Sequence, residues 1–165
     1  MTIPVLDKDS VLSSMSSHPA VRSMTPEMLA SPAFDATYDR GELTLTVAPE
    51  HIRAAAAAVQ QAGYNFLEDV TAVDWLPAEP RYQVSYHIVS HTLKERVRLR
   101  IFVDSIIGGA DSITPVWPSA DFYEREVFDL FGIRFHGHPN LRRIMMPDEF
   151  EGHPLRKDFP VEGYR

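Results

Sequence analysis

The sequence predicts an α+β protein: one domain with a mixed, mainly antiparallel sheet of about four strands and helices on one face, followed by an extended C-terminal arm. Three observations carry this reading. Apolar residues alternate with polar ones in separate stretches between 41 and 103, which is the period of half-buried strands. Two helical patterns, one after the first strand and one after the last, give the order strand, helix, three strands, helix, and strands of mixed connection with helices on one side make an α+β layer structure. After Gly132 no period holds, and Pro139, Pro147, Pro154 and Pro160 with Gly137, Gly152 and Gly163 forbid long helices and central strands.

Residues 1–38 read as an N-terminal segment, weakly structured or with short helices. Asp9 to Met15 places Val11, Leu12 and Met15 on one helical face, and Pro19, Pro26 and Pro32 punctuate the residues after it. The start M-T-I-P-V-L-D-K-D-S lacks the basic and apolar regions of a secretory signal, so a cytoplasmic location is expected. No run of 18 apolar residues is present, so no membrane span is expected.

Residues 39–133 read as the α+β domain. Gly41 to Val47 alternates, with Leu43, Leu45 and Val47 on one side. Pro49 and Glu50 suit a helix first turn, Ala54 to Ala58 favours helix, and Gly63 ends it. Phe66 to Trp75 reads as a strand, Pro77 and Pro80 turn the chain, and Tyr82, Val84, Tyr86 and Ile88 alternate in the next. Val97, Leu99, Ile101 and Val103 form one face of the last strand, which leaves Arg96, Arg98 and Arg100 on a face that is wet or paired. Gly108-Gly109-Ala110 reads as a flexible loop and Ile113 to Trp117 as a short edge segment between prolines.

The second helix opens with Asp121 and Glu124, spaced as a capping box with Asp121 as N-cap. Tyr123, Val127, Leu130 and Phe131 make its apolar stripe, and Gly132 suits the left-handed residue after its end. Asp129 is out of place: an acid in the last turn opposes the helix dipole by about 0.3–1 kcal/mol. Either Arg125, one turn earlier, neutralises it, or it meets a cation on another chain. Asp129 and at least one of Glu124 and Glu126 are expected to face a partner or the arm rather than bulk water. Residues 134–165 read as an extended interaction arm. It carries Leu141, Ile144, Met145, Met146, Phe150, Leu155 and Phe159, which is rich for a disordered tail. That suggests an arm laid across another surface, with folding back onto its own domain as the alternative.

The chemistry the sequence excludes is as informative. There are no cysteines, so disulfides, thiolate nucleophiles and cysteine-ligated iron–sulfur clusters are ruled out. No G-x-G-x-x-G or P-loop lysine motif is present. The net charge is −7, and residues 134–165 hold six Lys and Arg against five Asp and Glu, so the acidity lies in the body. An acidic body argues against nucleic acid. His136, His138 and His153 with Asp148, Glu149 and Glu151 are the best metal candidates, but they lack the spacing of a shared helix. Glu124 and Glu126 point to different helix faces and cannot act as an acid–base pair.

The stretches E-R-E-V-F-D-L-F-G-I, H-P-N-L-R-R-I and E-G-H-P-L-R-K-D-F-P, with V-T-A-V-D-W upstream, resemble the NuoC-type (30 kDa) subunit of respiratory complex I, the proton-pumping NADH:quinone oxidoreductase. The resemblance covers roughly residues 40–160. Phe122 departs from it, where the family usually has Trp. The resemblance implies a non-catalytic structural subunit on the cytoplasmic side of the cell membrane. Its partners would be the peripheral-arm subunits, chiefly the NuoD-type quinone-site subunit and the iron–sulfur subunits. It implies no cofactor in this chain, with FMN and iron–sulfur clusters in the partners. The expected partner interface is Glu124, Arg125, Glu126, Asp129, Leu130, Phe131, His138, Leu141, Arg142, Arg143, Leu155, Arg156, Lys157 and Asp158. Two alternatives stay open: the equivalent subunit of an energy-converting hydrogenase or other quinone-reducing complex, and a free-standing metal-dependent enzyme.

Overall fold

A sheet of five strands in the order β1-β2-β5-β4-β3 carries the fold. The computed structural model describes residues 8–104 and 109–160. The expectations that concern Gly108, Gly163 and the remaining residues at the two ends lie outside this range. The strands are β1 (Asp35–Asp39), β2 (Glu42–Thr46), β3 (Phe66–Asp74), β4 (Tyr82–Ser90) and β5 (Glu95–Val103). All neighbours are antiparallel except β2 and β5, which run parallel. The sheet is therefore mixed and mainly antiparallel, as expected, with one strand more than the four read from the sequence.

The extra strand is β1. Its sequence D-A-T-Y-D has no apolar alternation, and only Ala36 is buried. It exists because Arg40 and Gly41, both at positive φ (51° and 86°), form a two-residue turn that folds it onto β2. Turns of that kind match the twist of paired strands. The expected boundary at residue 38/39 thus falls inside a strand.

Three short helices precede β1: α1 (Lys8–Ser14), α2 (Pro19–Ser23) and α3 (Pro26–Ala30). His18 and Thr25 accept the first free N–H groups of α2 and α3 with their side chains, and a proline opens each helix. These helices belong to the core, because Val11, Ala20, Val21, Met24 and Met28 are all buried in it. Lys8 Nζ donates to the Phe34 carbonyl at 2.9 Å and ties the start of α1 to the approach to β1.

A 3₁₀ turn at Pro49–His51 leads into α4 (Ile52–Gln61), which buries Ile52, Ala55, Ala56 and Val59. The small alanines let the helix lie close to the sheet. Helix α5 (Ala120–Phe131) packs chiefly on β3. The side chains beneath these helices are Val70 and Ala72 of β3, Val84 and Tyr86 of β4, and Leu99 and Ile101 of β5, in register across the strands. On the opposite face the three arginines are paired, Arg96 with Glu68 at 3.3 Å, Arg98 with Glu42 at 2.7 Å and Arg100 with Asp35 at 3.9 Å. Such half-exposed pairs contribute only about 0–1 kcal/mol each.

Two local expectations are corrected. Gly109–Asp111 is not a loop but a short strand, β6, paired in parallel with β7 (Arg134–His136). Ile113 to Trp117 is a turn, in which the Val116 and Trp117 N–H groups both donate to the Ile113 carbonyl, and not an edge strand. Pairing with β7 places the start of the arm beside the domain rather than away from it.

Met28 is 3% exposed, so Met28→Ala is expected to cost about 2–5 kcal/mol in denaturant unfolding. A loss below about 0.5 kcal/mol, the size of a surface change, would mean that α1–α3 unfold apart from the sheet.

Candidate functional site

The chain's polar groups concentrate where α5 meets the residues that come after it. The helix starts one residue before the expected cap: Ser119 is the N-cap and Asp121 makes no capping bond. It ends as expected at Gly132, in the left-handed region at φ 78°. A side chain at Gly132 would also collide with the Arg156 guanidinium and the His153 ring. The arm therefore crosses the end of the helix in direct contact with it.

Asp129 is the centre of that crossing. It is fully buried, and its Oδ2 accepts from the backbone N–H groups of Ile144, Met145 and Met146 at 2.9, 2.7 and 2.9 Å. Its Oδ1 accepts from Arg143 Nη1 at 2.7 Å. Burial pushes the Asp129 carboxyl up, but these donors more than reverse it and hold it below the usual carboxylate range. The three consecutive N–H groups have no helix or strand to bond to, and one carboxylate satisfies them all. Around it, Arg125 donates to the carbonyls of Arg142 and Arg143, each at 3.2 Å. His153 Nδ1 lies 2.8 Å from the Asp129 carbonyl, the Leu155 N–H donates to the Leu130 carbonyl, and Arg156 Nε donates to that of Phe131 at 2.6 Å. These are last-turn carbonyls that a helix cannot satisfy internally.

A second clasp lies at the end of the arm. Asp74, 4% exposed at the end of β3, accepts two bonds from Arg81, at 2.9 and 2.7 Å, and one from the Lys157 N–H at 2.8 Å. Arg81 reaches on to both oxygens of Asp158, at 3.0 and 2.7 Å. Burial raises the Asp74 carboxyl, but Arg81 and the N–H groups of Leu76 and Lys157 hold it well below the usual range. Arg81 likewise holds Asp158 low.

The expected interface residues thus divide. Glu124, Arg125, Asp129 and Phe131 are buried within this chain. Arg143 and Asp158 are paired internally, and Arg156 caps the helix end. The His138 side chain is fully enclosed, and Leu141 and Leu130 pack partly against the core. Glu126, Arg142, Leu155 and Lys157 remain exposed. The cation for Asp129 is neither of the two expected, Arg125 or a group on another chain, but Arg143 from the chain's own arm, which irregular chain brings back to the helix end; Arg125 instead lies 3.9 Å from Asp121. The described part of the arm, 134–160, lies on its own domain, which is the alternative of folding back rather than an arm extended away from it.

Sequence reasoning overlooked Asp74 and Arg81. The signal was present, since Val70, Ala72 and Asp74 share one strand face, and an acid on the apolar face of a strand requires a buried cation. An apolar groove of about 450 Å³ opens on the other sheet face between Trp75, Val47, Pro49, Pro80 and Phe102. Its one carboxylate, Glu79, accepts from the Arg81 N–H, so it presents no acid–base pair. Among the described residues no group of three or more His, Cys, Asp or Glu is placed to hold a metal ion, and no helix is long and apolar enough to cross a membrane. What the polar groups do is fix one stretch of irregular chain on a helix end and a strand end.

The same fold occurs in solved structures. The trypsin-resistant fragment (1–134) of Nqo5 superposes with a TM-score of 0.63 at 28% identity, over 79% of this chain and 98% of the fragment. The fold also occurs in the membrane-bound sulfane sulfur reductase, an archaeal respiratory membrane complex, with a TM-score of 0.74 at 22% identity over 90% of this chain and 85% of that one. The pattern of the family described as "Respiratory-chain NADH dehydrogenase, 30 Kd subunit" matches residues 45–165, and the chain belongs to that family. The C subunit of the NADH-quinone oxidoreductase of Citrifermentans bemidjiense is 46% identical over 138 residues, which is 83% of this chain and 86% of that protein. Its counterpart in Geobacter sulfurreducens is 44% identical over 139 residues, again 83% and 86%. That of a Roseiflexus species is 46% identical over 125 residues, 74% and 72%.

Two outcomes are expected from the clasps. Asp129→Asn removes the charge facing Arg143 in a buried pair, so a loss of about 3–5 kcal/mol is expected, with faster hydrogen exchange at 143–146. Because the Asp129 carboxyl is depressed in the folded chain, its contribution is present above the unfolded pKa of about 3.9 and is lost as pH falls below it. The variant's acid unfolding curve should therefore be flatter than the parent's; curves of equal slope would refute this role. Arg81→Met should release Lys157 and Asp158, measured as faster limited trypsin cleavage after Arg156 and Lys157. Unchanged cleavage would show that the distal clasp does not hold the arm.

Proposed function

We propose that this chain is a non-catalytic structural subunit of a proton-pumping NADH:quinone oxidoreductase. In this reading it sits peripherally on the cytoplasmic side of the membrane complex, holds no cofactor, and docks its arm against the NuoD-type quinone-site subunit. FMN and the iron–sulfur clusters reside in partner subunits, the latter consistent with a chain that has no cysteine ligands. Family membership supports the complex. The observation that supports docking through the arm is a set of exposed apolar side chains on α5 and the arm: Phe122 (61%), Ile144 (38%), Met145 (57%) and Leu155 (52%).

These side chains are unfavourable to leave in water. Seating the arm on Asp129 turns Ile144 and Met145 outward, because the carboxylate takes their N–H groups inward. The partner therefore meets a preformed apolar surface. Buried groups such as Glu124 and Asp129 act by shaping that surface, and Glu126, Arg142, Leu155 and Lys157 are the interface residues that contact the partner directly.

The test is assembly in cells with Phe122→Asp and Met145→Asp. Both sites are exposed, so the isolated variants should melt within about 0.5 kcal/mol of the parent. They should fail to co-purify with the quinone-site subunit and should lower NADH:quinone activity of the membranes. Normal co-purification of both variants would reject this surface as the interface.

A further inference from the structure

The carboxylate of Glu124 is fully buried in the first half of α5 and has no strong cation against it. Its Oε2 accepts from Ser112 Oγ at 2.6 Å and its Oε1 from the Ile113 N–H at 2.8 Å. Both donors are neutral. The groups facing it come from every element packed there. Asp121 lies one turn earlier on α5, and its Oδ1 is buried with no hydrogen-bond partner among the described residues. Tyr86 of β4 is fully buried, with its hydroxyl likewise unpartnered. Arg53, at the start of α4, acts through its charge alone, its guanidinium being engaged by the Ser112 and His136 carbonyls. From the arm comes His138, fully enclosed, with Nε2 at 4.0 Å from Glu124 Oε2 and 3.6 Å from Asp121 Oδ1.

His138 links this cluster to the arm. Its Nδ1 accepts from the Asn140 N–H at 3.0 Å, which places the ring proton on Nε2. Nε2 then donates to the Asp121 carbonyl at 3.2 Å. One imidazole thereby holds the first turn of the arm, His138-Pro139-Asn140, to the helix. A charge on Glu124 would compete for the same Nε2–H and repel the Asp121 carboxylate beside it. A neutral Glu124 leaves the imidazole on the backbone carbonyl, as the structure has it.

We propose that Glu124 is a proton-binding site that sets how firmly the beginning of the arm is seated on α5. With the proton bound, the His138 turn is locked. With the proton lost to solvent, the buried carboxylate charge is relieved by loosening that turn and admitting water. The environment of the carboxyl suits this role. Burial pushes Glu124 up to about 7, with Asp121 adding to the rise and Ser112, the Ile113 N–H and Arg53 opposing it. The sign is set by linkage. A carboxyl raised in the seated state favours seating fully below its free pKa of about 4.3. That advantage is lost as pH rises to about 7 and is level above it. This reading concerns the isolated chain and stands apart from the docking of the arm on any partner.

The test is hydrogen exchange of residues 137–142 in the full purified chain between pH 5 and 8, corrected for intrinsic rates. Opening is expected to rise about tenfold from pH 6 to 8 and to level off at the top of the range. In Glu124→Gln the same residues should stay protected with no such dependence. The identical pH dependence in Glu124→Gln would overturn the proposal. Should that variant fold poorly, infrared titration of the parent chain decides. A protonated-carboxyl band present at pH 6 and lost by pH 8 supports the site, and no such band at pH 6 overturns it.

Discussion

A single carboxylate, that of Asp129, governs how the second half of this chain is arranged. Three successive backbone N–H groups and one guanidinium converge on it in a place closed to water. Irregular chain can be buried only if its backbone groups find partners, and residues 143–146 have none in a helix or strand. The acid at the unfavourable end of the helix dipole supplies them. What looks like an electrostatic error within α5 is resolved one element later, where the dipole cost is small against four donors.

The sheet and α4 were legible because their periods are strong. Leu43 to Val47, Tyr82 to Ile88 and Val97 to Val103 all alternate as written, and all fall in or at the end of strands. Strand β1 was not legible from period, since Ala36 is its one buried residue and Tyr38 only partly covers the core; its signal was the Arg40-Gly41 turn, which pattern counting passes over. The N-terminal helices were half legible. Their prolines read as interruptions, whereas Pro19 and Pro26 open helices, a position where the missing N–H costs nothing.

Sequence alone singled out Asp129 as an acid out of place and Gly132 as the helix end. It could not assign the cation, because Arg125 and Arg143 differ only in where irregular chain returns. No local rule predicts the path from Gly137 to Pro147. The Asp74–Arg81 clasp was missed for a related reason: the two residues flank a turn and their third partner, Asp158, is far along the chain. Apolar content marked the arm as a segment laid on a surface, and its described residues lie on the chain's own helix and strand ends.

The two clasps also change the statistics of the chain. Without them, the irregular residues after Pro139 would be held to the domain by Arg125, Leu155 and Arg156 at the helix. Pinned at Asp129 and again at Asp74, this stretch becomes two short closed spans. Loop-closure entropy grows only with the logarithm of length, so the second pin adds little cost once the first is made. Most of the ordering then takes place as the chain itself folds. A protein that meets this surface encounters a nearly rigid relief, and the entropy that the encounter would otherwise remove has already been lost.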